Sequence, residues 1–90
     1  MKKQLQVYFS GRVQGVGFRF TVRELADELD VGGWVKNLPD GRVQLVAEAE
    51  EEVLKKLLLS IHHSFARYIR DTDVQWLAAG GTFNNFQISA

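Results

Sequence analysis

The sequence contains no cysteine, a single proline and no long uninterrupted hydrophobic run. Without cysteine the chain can form no disulfide, offers no thiolate nucleophile and cannot bind a metal through sulfur. The basic start Met1-Lys2-Lys3-Gln4 is followed by a short apolar stretch that Gln6 and Ser10 interrupt. We therefore expect neither a signal peptide nor a bilayer-spanning segment, and we expect a cytoplasmic protein.

The chain also has no net charge, because 11 Lys and Arg residues balance 11 Asp and Glu residues. A neutral chain gives no general electrostatic attraction to nucleic acid or to an anionic membrane, so neither is expected as a partner. Any anion must therefore be bound by a local arrangement of donors. Ninety residues suffice for a single domain with one modest core, and we expect a monomer.

The first half of the chain combines strand and helix patterns. Apolar residues alternate in residues 5–10, which predicts a half-buried strand. From about Phe18 they recur at helical spacing, and Gly32-Gly33 is expected to end this helix because glycine adopts the left-handed cap conformation without strain. A hairpin is predicted next, with strands over 33–38 and 42–49 and a turn at Pro39-Asp40-Gly41.

The second half predicts one helix and one or two strands. Glu50-Glu51-Glu52 opens the helix, where acidic side chains suit the positive end of the helix dipole. A strand is expected over 74–77, followed by a turn at Gly80-Gly81. A last strand carries Phe83, Phe86 and Ile88, and Asn84-Asn85 within it breaks the alternation, which predicts a bulge or kink.

The order of these elements predicts an α+β fold, because two helices can cover only one face of such a sheet. We expect a ferredoxin-like two-layer sandwich: an antiparallel sheet with both helices on one face, in the order β-α-β-β-α-β with a possible extra strand. In that topology the first two strands are parallel, with another strand between them. The end of the second strand then lies beside the loop that follows the first.

That loop is rich in glycine and reads Gly11-Arg12-Val13-Gln14-Gly15-Val16-Gly17-Phe18-Arg19. Glycine lets the backbone bend so that N–H groups converge, and the following helix adds its free first-turn N–H groups and positive dipole end. Arg19 adds a fixed charge with forked donors. The pattern indicates an anion site suited to a phosphoryl group, although an ordinary turn with an exposed Arg19 fits equally. Neither the nucleotide P-loop nor the dinucleotide fingerprint matches.

Asn37 is expected near the end of the second strand, on an otherwise apolar face, where its amide needs a partner. Two interpretations are equally compatible with the pattern. The side chain leans over the loop after the first strand, or it caps the turn at Pro39-Asp40-Gly41, as asparagine often does.

Two segments resemble the signatures of the acylphosphatase family. The loop from Gly11 to Arg19 is similar to the first signature, and Gly33-Trp34-Val35-Lys36-Asn37, followed by Gly41-Arg42-Val43, is similar to the second. Their order and separation also match, so that the resemblance covers nearly the whole chain as one domain, 1–90. It implies hydrolysis of a small acyl phosphate to a carboxylate and inorganic phosphate, with no metal or other cofactor.

The resemblance also implies roles for individual residues. Arg19 would match the family's phosphate-binding arginine, and Asn37 the asparagine that orients the attacking water. Ala49 departs from the glycine that usually closes the second signature, and Asn84-Asn85 departs from the usual pair near the end. The loop that would cradle the phosphate consists of Gly11, Arg12, Val13, Gln14, Gly15, Val16, Gly17 and Phe18.

Two other functions are alternatives to hydrolysis. One is a non-catalytic module of the same fold that binds phosphate or carbamoyl phosphate. The other is a single-stranded RNA binder with exposed aromatics such as Tyr8, against which the neutral charge argues. His62-His63 suggests a metal site, but adjacent helical residues point about 100° apart, which favours a solvated helix end. Trp34 and Trp76 are expected in the core or on a sheet face.

Overall fold

The computed structural model describes every residue from Met1 to Ala90. Five strands form one sheet, in the order β4-β1-β3-β2-β5, and both helices pack on the same face of it. The predicted ferredoxin-like sandwich is thereby confirmed. Neither helix is long and apolar enough to cross a membrane. The elements are β1 (Lys2–Gly11), α1 (Phe18–Glu28), β2 (Gly32–Asn37), β3 (Val43–Glu50), α2 (Glu51–Ser64), β4 (Ile69–Ala78) and β5 (Phe86–Ile88).

The sheet is mixed, whereas an antiparallel sheet was predicted. β3 pairs antiparallel with both β1 and β2, so β1 and β2 run parallel on either side of it, as expected. β5, however, pairs parallel with β2. The reason is that β4 and β5 lie at opposite edges, so the chain between them crosses the end of the sheet and reverses before β5 begins.

The core fixes where α1 starts. Alternate residues of β1, namely Leu5, Val7 and Phe9, are fully buried beneath the helices. Phe18, the first residue of α1, packs edge-on against Phe9 with ring centroids 5.0 Å apart and also contacts Phe65. Aromatic pairs of this kind are among the stronger apolar contacts. The beginning of α1 is therefore held at the end of β1, which leaves only a short loop between them.

The predicted cap of α1 is wrong. The helix ends at Glu28, and the left-handed residue after it is Asp30, with φ 56°. Gly32 and Gly33 belong to β2. A side chain on Gly33 would collide with the carbonyl oxygen of Val46 on β3. These glycines are needed for close approach between elements, a requirement that no local pattern reveals.

The tail also differs from the prediction. β5 is only three residues long, and Asn84-Asn85 precedes it instead of forming a bulge within it. Asn85 accepts a hydrogen bond from Gly33 N–H at 2.9 Å, which guides the chain into its place beside β2. β4 is longer than predicted, because an edge strand with little burial shows no clear alternation.

The segment that crosses the sheet is anchored by Glu48 of β3. Its buried carboxylate accepts hydrogen bonds from Gly80 N–H at 2.8 Å, Gly81 N–H at 3.0 Å and Gln4 Nε2 at 2.8 Å. Burial acts to raise the pKa of Glu48, but these hydrogen bonds outweigh it and hold the pKa below its ordinary value. Glu48 is therefore an ionised anchor for the approach to β5.

The aromatic and histidine side chains singled out in the sequence have local partners. Tyr8 and Trp34 lie on the sheet face away from the helices, and each ring has a cation over it, Arg42 at 4.6 Å and Lys36 at 5.2 Å respectively. Trp76 lies on edge strand β4 and is more than one-third exposed. Both tryptophans therefore lie on the sheet. His62 of α2 is hydrogen-bonded to Thr72 Oγ1 at 2.8 Å.

Candidate functional site

The loop between β1 and α1 bends at two glycines. Gly15 and Gly17 have φ values of 77° and 79°, and Gly17 is the N-cap of α1. Nothing lies within 4 Å of the place a Cβ would occupy on either residue. The left-handed backbone, and not lack of space, is therefore what favours glycine at both positions.

The backbone donors of this loop are free. No N–H group from Val13 to Phe20 donates to an acceptor within the protein, and the first bond of α1 runs from Thr21 N–H to Gly17 O at 3.1 Å. These donors lie at the positive end of the α1 dipole. A run of free N–H groups at a helix start is a ready-made environment for an anion.

The loop is tied to the rest of the fold on both sides. Arg12 donates its backbone N–H to Tyr68 O at 2.8 Å. Gln14 Nε2 donates to Leu38 O at 2.8 Å and to Arg42 O at 3.0 Å, which joins the loop to the β2–β3 turn. From the sequence, Gln14 was predicted only as one residue of the loop. Its bracing role escaped prediction because its acceptors lie 24 and 28 residues away.

Asn37, the last residue of β2, faces this loop. Its Oδ1 is buried and has no hydrogen-bond partner in the protein. The turn that follows is closed without it, by Leu38 N–H to Arg42 O at 2.8 Å and by Arg42 N–H to Asp40 Oδ1 at 3.1 Å. The Arg42 N–H, with its guanidinium, also holds the pKa of Asp40 below its ordinary value. The alternative role for Asn37 as a turn cap is therefore wrong.

The loop, Arg19 and Asn37 meet at one cavity of about 160 Å³. Arg19 forms no ion pair with any carboxylate of the protein, so its charge is available to a ligand. Of the loop residues named from the sequence, Val13, Gly15, Gly17 and Phe18 line the cavity, whereas Gly11, Arg12, Gln14 and Val16 do not.

Two residues that were not predicted for the site, Phe20 and Ile88, complete the lining. Phe20 carries a signal in the sequence, because an aromatic side chain on the otherwise polar face of an amphipathic helix is unusual. Ile88 carries none, since only the parallel pairing of β5 with β2 brings it to the end of the sheet where the cavity lies.

Fold and site together define a class: a small ferredoxin-like α+β domain with a candidate anion site after its first strand. A sequence profile of the acylphosphatase family matches residues 5–88. The chain therefore belongs to the acylphosphatase family, and the resemblance seen in its two segments is confirmed. It is an enzyme of that family.

Individual relatives agree with this assignment. The chain is 43% identical to an acylphosphatase of Rubrobacter xylanophilus over 96% of its own length and 79% of the relative's. It is 42% identical to an acylphosphatase of Methylococcus capsulatus, over 96% and 95% of the two chains. The crystal structure of acylphosphatase from Bacillus subtilis superimposes with a TM-score of 0.91 at 34% identity, covering 98% of this chain and 99% of that one.

Proposed function

We propose that the protein hydrolyses acyl phosphates to a carboxylate and inorganic phosphate, without a metal, in the cavity between the loop and Asn37. The substrate class follows from the relatives, which are acylphosphatases. The observation that supports the site is the buried, unpartnered Asn37 Oδ1. A buried acceptor in this state costs about 1–3 kcal/mol, and a water molecule bound in the cavity would satisfy it.

The phosphoryl group binds to free N–H groups of the cavity-lining residues in the loop and the first turn of α1, and to the Arg19 side chain. Hydrogen bonds to an ionised group are about twice as strong as neutral ones. In phosphoryl transfer the charge is spread over the equatorial oxygens of the phosphorus, and stabilising that charge is most of the catalytic task. Donors fixed in place by the loop perform this task without rearranging during the reaction.

Asn37 Oδ1 accepts a hydrogen bond from the attacking water and aims its oxygen at phosphorus. The new P–O bond forms from this oxygen while the bond between phosphorus and the acyl oxygen breaks. The electron pair of that bond leaves with the carboxylate. One proton of the water stays on the entering oxygen and the other passes to a phosphoryl oxygen, so that the products are a carboxylate and dihydrogen phosphate.

No side chain of the cavity lining other than Arg19 and Asn37 carries a polar group, so no general base stands beside the water. An acyl phosphate tolerates this, because its leaving carboxylate is stable and the substrate's own phosphate takes the proton. Positioning and charge stabilisation then suffice. The proposal therefore includes neither a metal nor a covalent intermediate.

Turnover of benzoyl phosphate in the presence of excess EDTA tests the proposal as a whole. We expect the purified protein to hydrolyse this substrate well above the uncatalysed rate and to be inhibited competitively by inorganic phosphate. Absence of turnover would overturn the hydrolase assignment. Phosphate binding without turnover would favour the non-catalytic phosphate-binding module instead.

Two substitutions test the division of roles. Arg19→Ala should lose both phosphate inhibition and turnover. Asn37→Ala should lose turnover by about a hundredfold or more while keeping phosphate inhibition, as when one positioned polar group is removed from a transition state. Arg67→Ala and Asn84→Ala serve as matched controls, because both side chains are exposed and neither lines the cavity. Equal loss of phosphate inhibition in both site variants would contradict the assigned roles.

A further inference from the structure

Phe20 is a large apolar side chain at the rim of the cavity. It is the third residue of α1, it is 54% exposed, and it lines the cavity together with Arg19 and Asn37. A single exposed aromatic residue is ordinary on a protein surface. What distinguishes Phe20 is its position. In the proposed reaction the polar groups of the same cavity bind the phosphoryl group and the water, whereas the Phe20 side chain binds neither.

The Phe20 ring contacts the guanidinium of Arg23, which lies one turn further along α1. The Arg23 guanidinium carbon lies 5.2 Å from the ring centroid, within the range of a cation–π contact. Arg23 makes no ion pair with a carboxylate of the protein. At an exposed site such a contact is weakly stabilising, so it favours this orientation of the Phe20 ring.

The cavity itself is too small to enclose a whole substrate with a large acyl group. Its volume is about 160 Å³, whereas sites that enclose drug-sized ligands span about 300–1,000 Å³. With the phosphoryl group on the loop and the water on Asn37, the acyl group must extend over the rim. Apart from the two catalytic candidates, the side chains that line the site are apolar, and Phe20 is the most exposed of them.

We propose that Phe20, supported by Arg23, forms an acyl subsite that favours substrates with an aromatic acyl group over those with a small aliphatic one. This inference rests on the proposed function, and it concerns the acyl part of the substrate, which the phosphate-binding donors do not contact. An offset or edge-on contact between two aromatic rings is expected to favour the aromatic substrate by about three- to tenfold. Since the contact is made in the bound substrate and in the transition state alike, it acts on KM more than on kcat.

The test compares kcat and KM for benzoyl phosphate and acetyl phosphate in the wild type, Phe20→Ala, Phe20→Leu and Phe20→Trp. Because the different intrinsic reactivities of the two substrates are the same for every variant, they cancel when the ratio of the two kcat/KM values is compared between a variant and the wild type. We expect this ratio to fall about three- to tenfold in Phe20→Ala, mainly through KM for benzoyl phosphate, to fall less in Phe20→Leu, and to be kept in Phe20→Trp.

Leu59→Ala is the matched control, because Leu59 is a 71% exposed apolar residue on a helix and does not line the cavity. An unchanged ratio in folded Phe20→Ala would overturn the inference, and so would equal losses with both substrates. If the wild type turned over neither substrate, the proposed function itself would fail. Turnover of both with a ratio indifferent to residue 20 would refute the acyl subsite alone. The unfolding midpoint of each variant shows that it is folded.

Discussion

Gln14 offers the sharpest test of how the loop is positioned. Its side chain donates to Leu38 O at 2.8 Å and Arg42 O at 3.0 Å, and so joins the candidate phosphate loop to the turn beyond Asn37. Gln14 does not line the cavity. Replacing it with alanine removes both hydrogen bonds without removing any group that would touch the substrate.

The cost to stability can be worked out from the acceptors. A hydrogen bond contributes about 0.5–1.5 kcal/mol. Leu38 O also accepts from Gly41 N–H at 3.1 Å, and Arg42 O also accepts from Leu38 N–H at 2.8 Å. Because neither carbonyl is left without a donor, only these two contributions are lost, and Gln14→Ala should lower the free energy of unfolding by about 1–3 kcal/mol. For a domain of this size that corresponds to a fall in Tm of about 4–24 °C.

The effect on activity should exceed the effect on the folded fraction. A displacement of about 1 Å between reacting groups can reduce the rate a hundredfold. We expect kcat for benzoyl phosphate to fall about ten- to a hundredfold at a temperature where Gln14→Ala is fully folded. Inhibition by phosphate should persist, because the loop N–H groups and Arg19 remain.

Gln44→Ala is the control for Gln14→Ala. It makes the same chemical change and removes a hydrogen bond to the Tyr8 hydroxyl at 3.1 Å on the open face of the sheet. The control should lose some stability and keep its kcat. Gln14→Ala could instead retain wild-type kcat while showing the expected fall in Tm. The two Gln14 hydrogen bonds would then stabilise the fold without positioning the loop for catalysis, and the prediction would be refuted.

Two further predictions concern the fold that carries the site. Gly33→Ala should lower the free energy of unfolding by more than about 4 kcal/mol in urea titrations, because a Cβ would strike the Val46 carbonyl. Gly41→Ala, with positive φ but open space, should cost only about 1–2 kcal/mol; equal losses would contradict the steric argument. Because the pKa of folded Glu48 lies below its ordinary value of 4.5, its stabilisation is present above pH 4.5 and is lost below it. Glu48→Gln should therefore be less stable than wild type by about 1–3 kcal/mol at pH 7, with a gap that narrows at pH 3.5, and a constant gap would exclude this linkage.

Secondary structure was predictable from the sequence wherever buried and exposed residues follow a clear pattern within one segment. The buried alternation of β1 and the apolar stripe of α2 at Leu54, Leu57 and Ile61 were predictable because each is repeated within its own segment. β4 was predicted too short because, as an edge strand, it has little buried surface to impose a pattern. The mixed sheet was missed for a related reason: strand direction at an edge depends on how the chain crosses the sheet.

The sequence by itself determined the fold class, the family and the segments that meet at the site. It placed Arg19 and Asn37 near the ends of elements whose order brings those ends together, but it left open whether either side chain turns toward the other, which the structure decided. Only the tertiary structure decided that Asn37 Oδ1 lacks a partner, that Gln14 bonds to the β2–β3 turn, and that Phe20 and Ile88 share one cavity. The physical reason is distance along the chain. Periodicity and turn residues act within a few positions, whereas these contacts join groups that meet only once the sheet has closed.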